Sequence, residues 1–227
     1  MTSGSQVGVV VVAAGKSSRM AGVDKTFVPV LGKPLVAHTL SHFEVSLLVN
    51  EVVLVLAAGE MGRGKQLVQE LNLRKVSNVC AGGQRRQDSV RNGLESLQPC
   101  QWVMVHDGAR PCLGQQVLER GLDAVQETGA AVAGVPVKDT IKVVSHHRIV
   151  LDTPARDTLW VAQTPQIFRY DLLMEAHQKC TDTFTDDAAM VESLGYPVKM
   201  FLGSHENIKV TTPEDLAIVK IFLAHGV

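Results

Sequence analysis

The run VGVVVV from Val7 to Val12 is the feature that most restricts the fold. With branched apolar residues at successive positions it has no polar face, so as a strand it must be covered on both sides. It stops at Ala13-Ala14-Gly15, where the side chains become small and the strand opens into a loop. Similar runs recur at EVVLVLAAG from Glu51, at Val76–Cys80, at Trp102–His106 and at Ala131–Val135. Between them lie stretches with helical spacing: Pro34 to Leu48, with Leu35, Val36, Leu40, Phe43 and Leu47 near one face, then about Arg63 to Asn72, SVRNGLESL, and Gln115–Thr128. This alternation predicts an α/β fold, a mostly parallel sheet with helices on both faces. Ligands of such sheets bind outside the carboxyl ends of the strands, where strand order switches. Three loops lie at such ends: Ala14–Lys25, Gly82–Ser89 and Asp107–Pro111.

Beyond Val135 the pattern changes. TIKVV and IVLDTP read as strand-like arms joined by the polar turn SHHR, and Val137 to about Leu159 is expected to form a projecting β-arm. Its apolar residues Ile141, Val143, Ile149 and Leu151 need cover, which a second copy of the chain would supply; a flap folded onto its own domain is the alternative. The chain continues with an amphipathic helix in RYDLLMEAHQK, a helix start at Thr185-Asp186-Asp187 with Thr185 as N-cap, a strand Val198–Leu202 and a helix Pro213–Ala224. A single domain spanning 1–227 is expected.

The formal net charge of -1 offers no general attraction to nucleic acid or membranes, so any anion binding must be local. The first apolar run is too short for a bilayer and lacks a cationic leader segment, which predicts a cytoplasmic address. Cys80, Cys100, Cys112 and Cys180 are scattered, with neither disulfide nor zinc spacing.

Local anion sites are present. The first loop carries Lys16, Arg19 and Lys25 with no acid before Asp24, a nest suited to a polyphosphate. Paired glycines Gly82-Gly83 allow close backbone approach beside Arg85, Arg86 and Ser89. Asp107, directly after a buried strand and beside Gly108-Ala109, suits a divalent cation shared with phosphate oxygens. His106 and Asp107 cannot belong to one triad, because neighbours on a strand point to opposite faces. Gly59 to Lys65 matches the phosphate-loop spacing GxxxxGK after a strand, but Gln66 replaces the hydroxyl residue that would hold magnesium.

Taken in order, VVAAGKSSRM, GGQRRQDSV, VHDGARP, PVKDTIK, ARDTLWVAQTPQIF, FTDDAAMVE and ENIKVTTPEDL resemble the bacterial 2-C-methyl-D-erythritol 4-phosphate cytidylyltransferases over nearly the whole chain. The AAGxxxRM piece is common to the nucleotide-diphospho-sugar-transferase-like fold; VHDGARP with TPQ and NIKVT is more specific. The resemblance implies attack by the acceptor's phosphate oxygen on the α-phosphorus of CTP, with release of pyrophosphate and with Mg2+ as the cofactor, other divalent cations being possible. It implies that Arg19 and Lys25 neutralise the triphosphate and that Asp107 holds the metal. Cytosine and ribose would rest against Ala13, Ala14, Gly15, Gly83 and Ser89, with Arg86 nearby. Methylerythritol phosphate would meet Arg110, Thr164, Thr185 and Lys209, with Thr140 and Arg156 reaching across from a second subunit's arm in a homodimer. Two departures from the family's pattern stand out: the loop MAGVD between Arg19 and Lys25 is a residue short, and Gln84 replaces an expected acid. Rival readings are a cytidylyltransferase for another polyol phosphate such as ribitol 5-phosphate, a nucleotide-binding domain without turnover, and an ATPase built on Gly59–Gln66.

Overall fold

The computed structural model describes residues 6–15 and 24–226. In chain order the elements are β1 (Val7–Ala13), the short pair β2 (Pro29–Val30) and β3 (Lys33–Pro34), α1 (Leu35–Val45), β4 (Glu51–Leu56), α2 (Met61–Glu70), β5 (Val76–Ala81), α3 (Arg86–Glu95), β6 (Trp102–Asp107), α4 (Gln115–Thr128), β7 (Ala130–Pro136), β8 (Val143–Val144), β9 (Val150–Asp152), β10 (Trp160–Arg169), α5 (Tyr170–Lys179), α6 (Asp187–Ser193), β11 (Lys199–Leu202) and α7 (Pro213–Ala224).

The main sheet has seven strands in the order β11-β7-β10-β6-β1-β4-β5. β1 pairs in parallel with β4 and with β6, β4 with β5, and β7 with β11, whereas β10 is antiparallel to both β6 and β7. The predicted, mostly parallel sheet is therefore present, with β10 running against the rest. Strand β1 explains why both faces are covered. Val9 and Val11 pack with Val36, Leu40 and Phe43 of α1 and Val117 and Leu118 of α4. Val10 points the other way, toward Val90 and Leu94 of α3 and Leu173 of α5. Val7, Val9, Val10 and Val11 are buried and Val12 is partly buried, an arrangement that a period-two polar pattern could not satisfy.

The structure adds one strand, goes against one rival reading and moves one helix cap. Trp160–Arg169 is a strand that the sequence reading passed over, because Pro165 interrupts it. The chain accommodates that proline at a cis Thr164–Pro165 bond, where the pairing with β7 shifts between Ala162 and Gln166. Gly59–Lys65 is not a phosphate loop: Ala58–Glu60 is a 3-10 turn running into α2, so the segment is already helical where such a loop must wrap around an anion. Gly64 is there for packing, since a Cβ at that position would lie 2.2 Å from Leu56 Cδ1. The cap of α6 is Asp186, whose side chain accepts from Ala189 N at 2.9 Å, while Thr185 lies one residue outside.

Between β7 and β10 the segment 138–158 is exposed along nearly its whole length and contains the β8–β9 ribbon. Val137 N donates to Leu159 O at 3.0 Å and closes its base.

Candidate active site

Strand order switches at β1: the chain lays β4 and β5 on one side and then returns to place β6 on the other. The carboxyl ends of β1 and β6 are thus neighbours, and Gly108 N donates to Val12 O at 2.9 Å. Only a residue without a side chain fits there, because a Cβ on Gly108 would meet Ala13 Cβ at 2.8 Å. Above this crossing opens a cavity of about 850 Å³, lined by described residues of the three loops expected to carry a ligand: Ala13, Ala14, Gly15 and Lys25, then Gly82–Arg86 and Ser89, then Asp107–Ala109, with Lys209 closing one side.

Asp107 is the electrostatic centre. Its Oδ2 lies 2.7 Å from Lys209 Nζ and 3.5 Å from Arg110 Nε, and its Oδ1 is 3.6 Å from Arg86 Nε. Burial alone would push this carboxyl up, but Lys209, Arg86 and Arg110 together outweigh it and hold the group well below the usual carboxylate range. Alternation along β6 sends His106 to the opposite face, edge-on to Phe43 with ring centroids 5.4 Å apart. Burial drives its pKa down to about 3, so the imidazole is neutral.

The two arginines of the GGQRRQDSV loop diverge. Arg85 folds back onto Asp88 at 2.7 Å on the surface. Arg86 turns inward, 2.7 Å from the fully buried Asp187, and so links Asp187 to Asp107. Burial opposes its charge, but the two aspartates overcome this and raise its pKa. Asp187 was not singled out from the sequence: in the Asp186-Asp187 pair the first residue caps α6 and the second is drawn into the interior as the counter-charge of Arg86. The clue was the second acid, one more than a cap needs.

Ser89 lines the cavity, and its hydroxyl accepts from Gly83 N at 3.1 Å and donates to Arg85 O at 3.2 Å, which holds the glycine loop closed over α3. Arg110 reaches a second, smaller cavity of about 390 Å³ shared with Lys209, Gln163 and His205, and its guanidinium donates to Asn207 O at 2.7 Å. Thr164 is buried and lines neither cavity; its hydroxyl lies 3.0 Å from both Asp107 N and His106 Nδ1. Thr185 is exposed beside the cap of α6. Thr140 and Arg156 are exposed on the segment between β7 and β10, where Arg156 donates to Lys138 O at 2.7 Å. Arg19, like Lys16, lies outside the described residues.

The described residues contain no cluster of three or more His, Cys, Asp or Glu able to enclose a metal. The donor set does fit a divalent cation held jointly with a nucleotide. Asp107 offers a hard carboxylate whose Oδ1 has its arginine only at 3.6 Å, and magnesium is commonly bound by one or two carboxylates with phosphate oxygens and water. Among the described residues no helix is long and apolar enough to cross a membrane.

The sequence pattern of the 2-C-methyl-D-erythritol 4-phosphate cytidylyltransferase family matches residues 7–225. A protein of that description from Dehalococcoides mccartyi is 48% identical over 221 residues, covering 97% of each chain. One from Alkaliphilus metalliredigens is 46% identical over 224 residues, covering 96% of this chain and 93% of the other. Among solved structures, the enzyme of the same description from Thermus thermophilus aligns with a TM-score of 0.79 and 32% identity over 97% of this chain and 99% of its own. The 4-diphosphocytidyl-2C-methyl-D-erythritol synthase of Anaerococcus prevotii aligns with a TM-score of 0.85 and 26% identity, covering 97% and 96%.

Proposed function

The chain belongs to the 2-C-methyl-D-erythritol 4-phosphate cytidylyltransferase family, and from that premise we propose how its site carries the reaction. The reaction is transfer of the cytidylyl group of CTP to 2-C-methyl-D-erythritol 4-phosphate. A phosphate oxygen of the acceptor forms a bond to the α-phosphorus, the bond from that phosphorus to the α,β-bridging oxygen breaks, and pyrophosphate leaves with the electron pair. The observation that carries this reading is Asp107 set among Lys209, Arg86 and Arg110 at the floor of the cavity. A buried acid surrounded by more positive than negative charge leaves a net cationic floor, which suits a polyanion whose charge grows during transfer.

In this reading the small residues Ala13, Ala14, Gly15 and Gly83 admit the nucleoside, and Ser89 keeps the glycine loop in shape. Lys25 meets the triphosphate from one side, and family resemblance assigns Arg19 to the same anion. Lys209 and Arg110, shared with the smaller cavity, meet the phosphate of the acceptor from the other. Two anionic phosphates can approach each other only if such cations offset their repulsion. No side chain need act as nucleophile, since orientation and charge neutralisation can supply the acceleration. Asp107 would hold the magnesium ion, which when bound draws charge from the phosphate oxygens. Thr140 and Arg156 serve the site of a second copy, with the β8–β9 segment as the dimer contact. A cytoplasmic address accords with the use of CTP.

The test is pyrophosphate release by the purified protein with CTP and magnesium, comparing methylerythritol phosphate with ribitol 5-phosphate. Release is expected with the former, and Asp107→Asn should lower it on the order of a hundredfold or more, whereas Lys65→Ala on α2 should leave it unchanged. Release with ribitol 5-phosphate alone would reassign the acceptor. Absence of release with both acceptors, despite CTP binding, would reduce the role to nucleotide binding.

A further inference from the structure

Two carboxylates compete for Arg86, and the way it is shared decides what Asp107 can offer. Arg86 Nη1 donates to Asp187 Oδ2 at 2.7 Å, whereas its Nε stays 3.6 Å from Asp107 Oδ1, beyond hydrogen-bond distance. Asp187 has the stronger hold for a physical reason. It is fully buried, so releasing the guanidinium would leave its carboxylate uncompensated in the interior. His177, which also faces it, has its pKa lowered chiefly by burial and lies 3.9 Å away, too far to take over.

The acid is also held in place from two sides. Gln166 of β10 grips the residues that flank it: Nε2 donates to Asp186 Oδ2 at 2.9 Å, and Oε1 accepts from Ala188 N at 3.1 Å. Gln87, next to Arg86 on α3, holds the approach to α6, donating to Asp182 O at 3.0 Å and accepting from Phe184 N at 3.3 Å. The start of α6 is thereby tied to β10 and α3, which fixes where the Arg86 guanidinium rests. Asp107 is left asymmetric: Oδ2 takes Lys209 at 2.7 Å, while Oδ1 faces a guanidinium that stops short of it. An Arg86 without its second partner would close on Oδ1 and occupy the lone pairs that a cation needs. We propose that Asp187 is a positioning residue for the metal site: by holding Arg86 away from Asp107, it keeps Oδ1 open to the divalent cation carried with the nucleotide. Asp187 lines neither cavity, so it acts through the arginine. The inference rests on the reading of Asp107 as the carboxylate that holds the metal.

The test compares CTP binding with and without a metal, with no acceptor present. Calorimetry in EDTA reads the free nucleotide; water-proton relaxation, which rises when the manganese complex of CTP is immobilised on protein, reads the complex. The parent should bind the complex more tightly than free CTP, and Asp107→Asn should erase that preference. If the parent shows no preference, or Asp107→Asn keeps it, the metal reading of Asp107 fails and this proposal with it. Asp187→Asn keeps the shape and removes the charge. It should weaken binding of the manganese complex about 10-fold, the lower end of the usual cost of losing a group that supports a metal ligand. Free CTP should bind as well as before or better, because the cavity gains positive charge. Equal loss of both affinities, or unchanged affinity for the complex, would overturn the proposal. In arginine-15N-labelled protein without ligands, the Arg86 Nε–H proton should move downfield in Asp187→Asn as it bonds to Asp107. A proton that stays in place would make the loss one of charge alone and would also overturn it. Arg86→Gln with Asp187→Asn removes both charges of the pair together, leaving no unpaired buried charge should the single variant fail to fold. With no guanidinium to close on Oδ1, its preference for the complex should lie within about threefold of the parent's, and one about tenfold lower would overturn the inference.

Discussion

Single side chains set how this molecule responds to acid, and two kinds of group act in the same direction over different ranges. Asp107 has its folded pKa depressed, so its contribution is present above about pH 4, the ordinary aspartate value, and is lost as pH falls below that. His106 and His177 are bases with folded pKa values lowered chiefly by burial. The unfolded chain takes up their protons first, at about pH 6.5, so their contribution is complete above that value and is lost on acidification, down to about 3 for His106. Between about pH 6.5 and 4 the histidines therefore govern the slope. His177 is the better probe: it lies away from Asp107, and its Nε2 faces Asp187 Oδ1 at 3.9 Å, beyond hydrogen-bond reach. Urea unfolding at pH 7, 6 and 5 should show stability falling by up to about 1.4 kcal/mol per pH unit for each such histidine. His177→Gln should flatten that slope, and parallel curves for variant and parent would contradict the assignment. Asp107 was legible in the sequence because a lone acid after a buried strand is conspicuous. The roles of His177 and Asp187 were not, since pairing across 101 residues, as between Arg86 and Asp187, leaves no local pattern.

Among the elements, α2 shows how a motif can match in spacing and fail in conformation. GxxxxGK binds phosphate only where the backbone amides are free to converge on an anion, and from Met61 onward this segment is helical. The glycine at position 64 instead lets α2 lie directly on β4 and β5, where an added Cβ would meet Leu56 Cδ1 at 2.2 Å and Val79 Cγ1 at 3.2 Å. Gly64→Ala gains about 1 kcal/mol of helix propensity, but it overfills a site where Leu56 is fully buried, at about 1–3 kcal/mol. Gly64→Val adds bulk and loses most of the propensity gain, so a net destabilisation of ~1–3 kcal/mol is expected in denaturant titrations. CTP affinity of the folded fraction should be unchanged; loss of binding at equal stability would revive the phosphate-loop reading. The same contrast explains what the sequence disclosed about the elements. Gln115–Thr128 and Pro213–Ala224 were readable to the residue because a Gly follows the first and a Pro opens the second. β10 was hidden because Pro165 breaks its pattern and its partners, β6 and β7, lie well before it in the chain.

For the whole molecule, the question is what covers the segment between β7 and β10. Ile149, Val150 and Leu151 are 65%, 53% and 67% exposed, with Val143 and Val144 near half-exposed on the facing strand. Scattered surface apolar residues are ordinary, but five of them gathered on one short two-stranded ribbon are what a contact between two copies would use. Thr140 and Arg156 lie on this same segment, and neither lines either of the two cavities described above, so the dimer proposal and the site proposal depend on each other. Ile149→Asp with Leu151→Asp should therefore convert a dimer to monomers in sedimentation experiments and abolish turnover together, while the thermal midpoint of the remaining fold changes little. Mixing gives a sharper test. Arg156→Ala damages only the arm and Asp107→Asn only the body, so each homodimer is inactive at both sites. In a mixed dimer, the site that combines the Asp107-containing body with the Arg156-containing arm of its partner is intact, whereas the other carries both defects. Random exchange makes half the dimers mixed, with one of two sites restored, so refolding the two variants together should recover about a quarter of the parent activity. If the arm instead served the site of its own chain, each site in a mixed dimer would keep one defect and mixing would restore nothing.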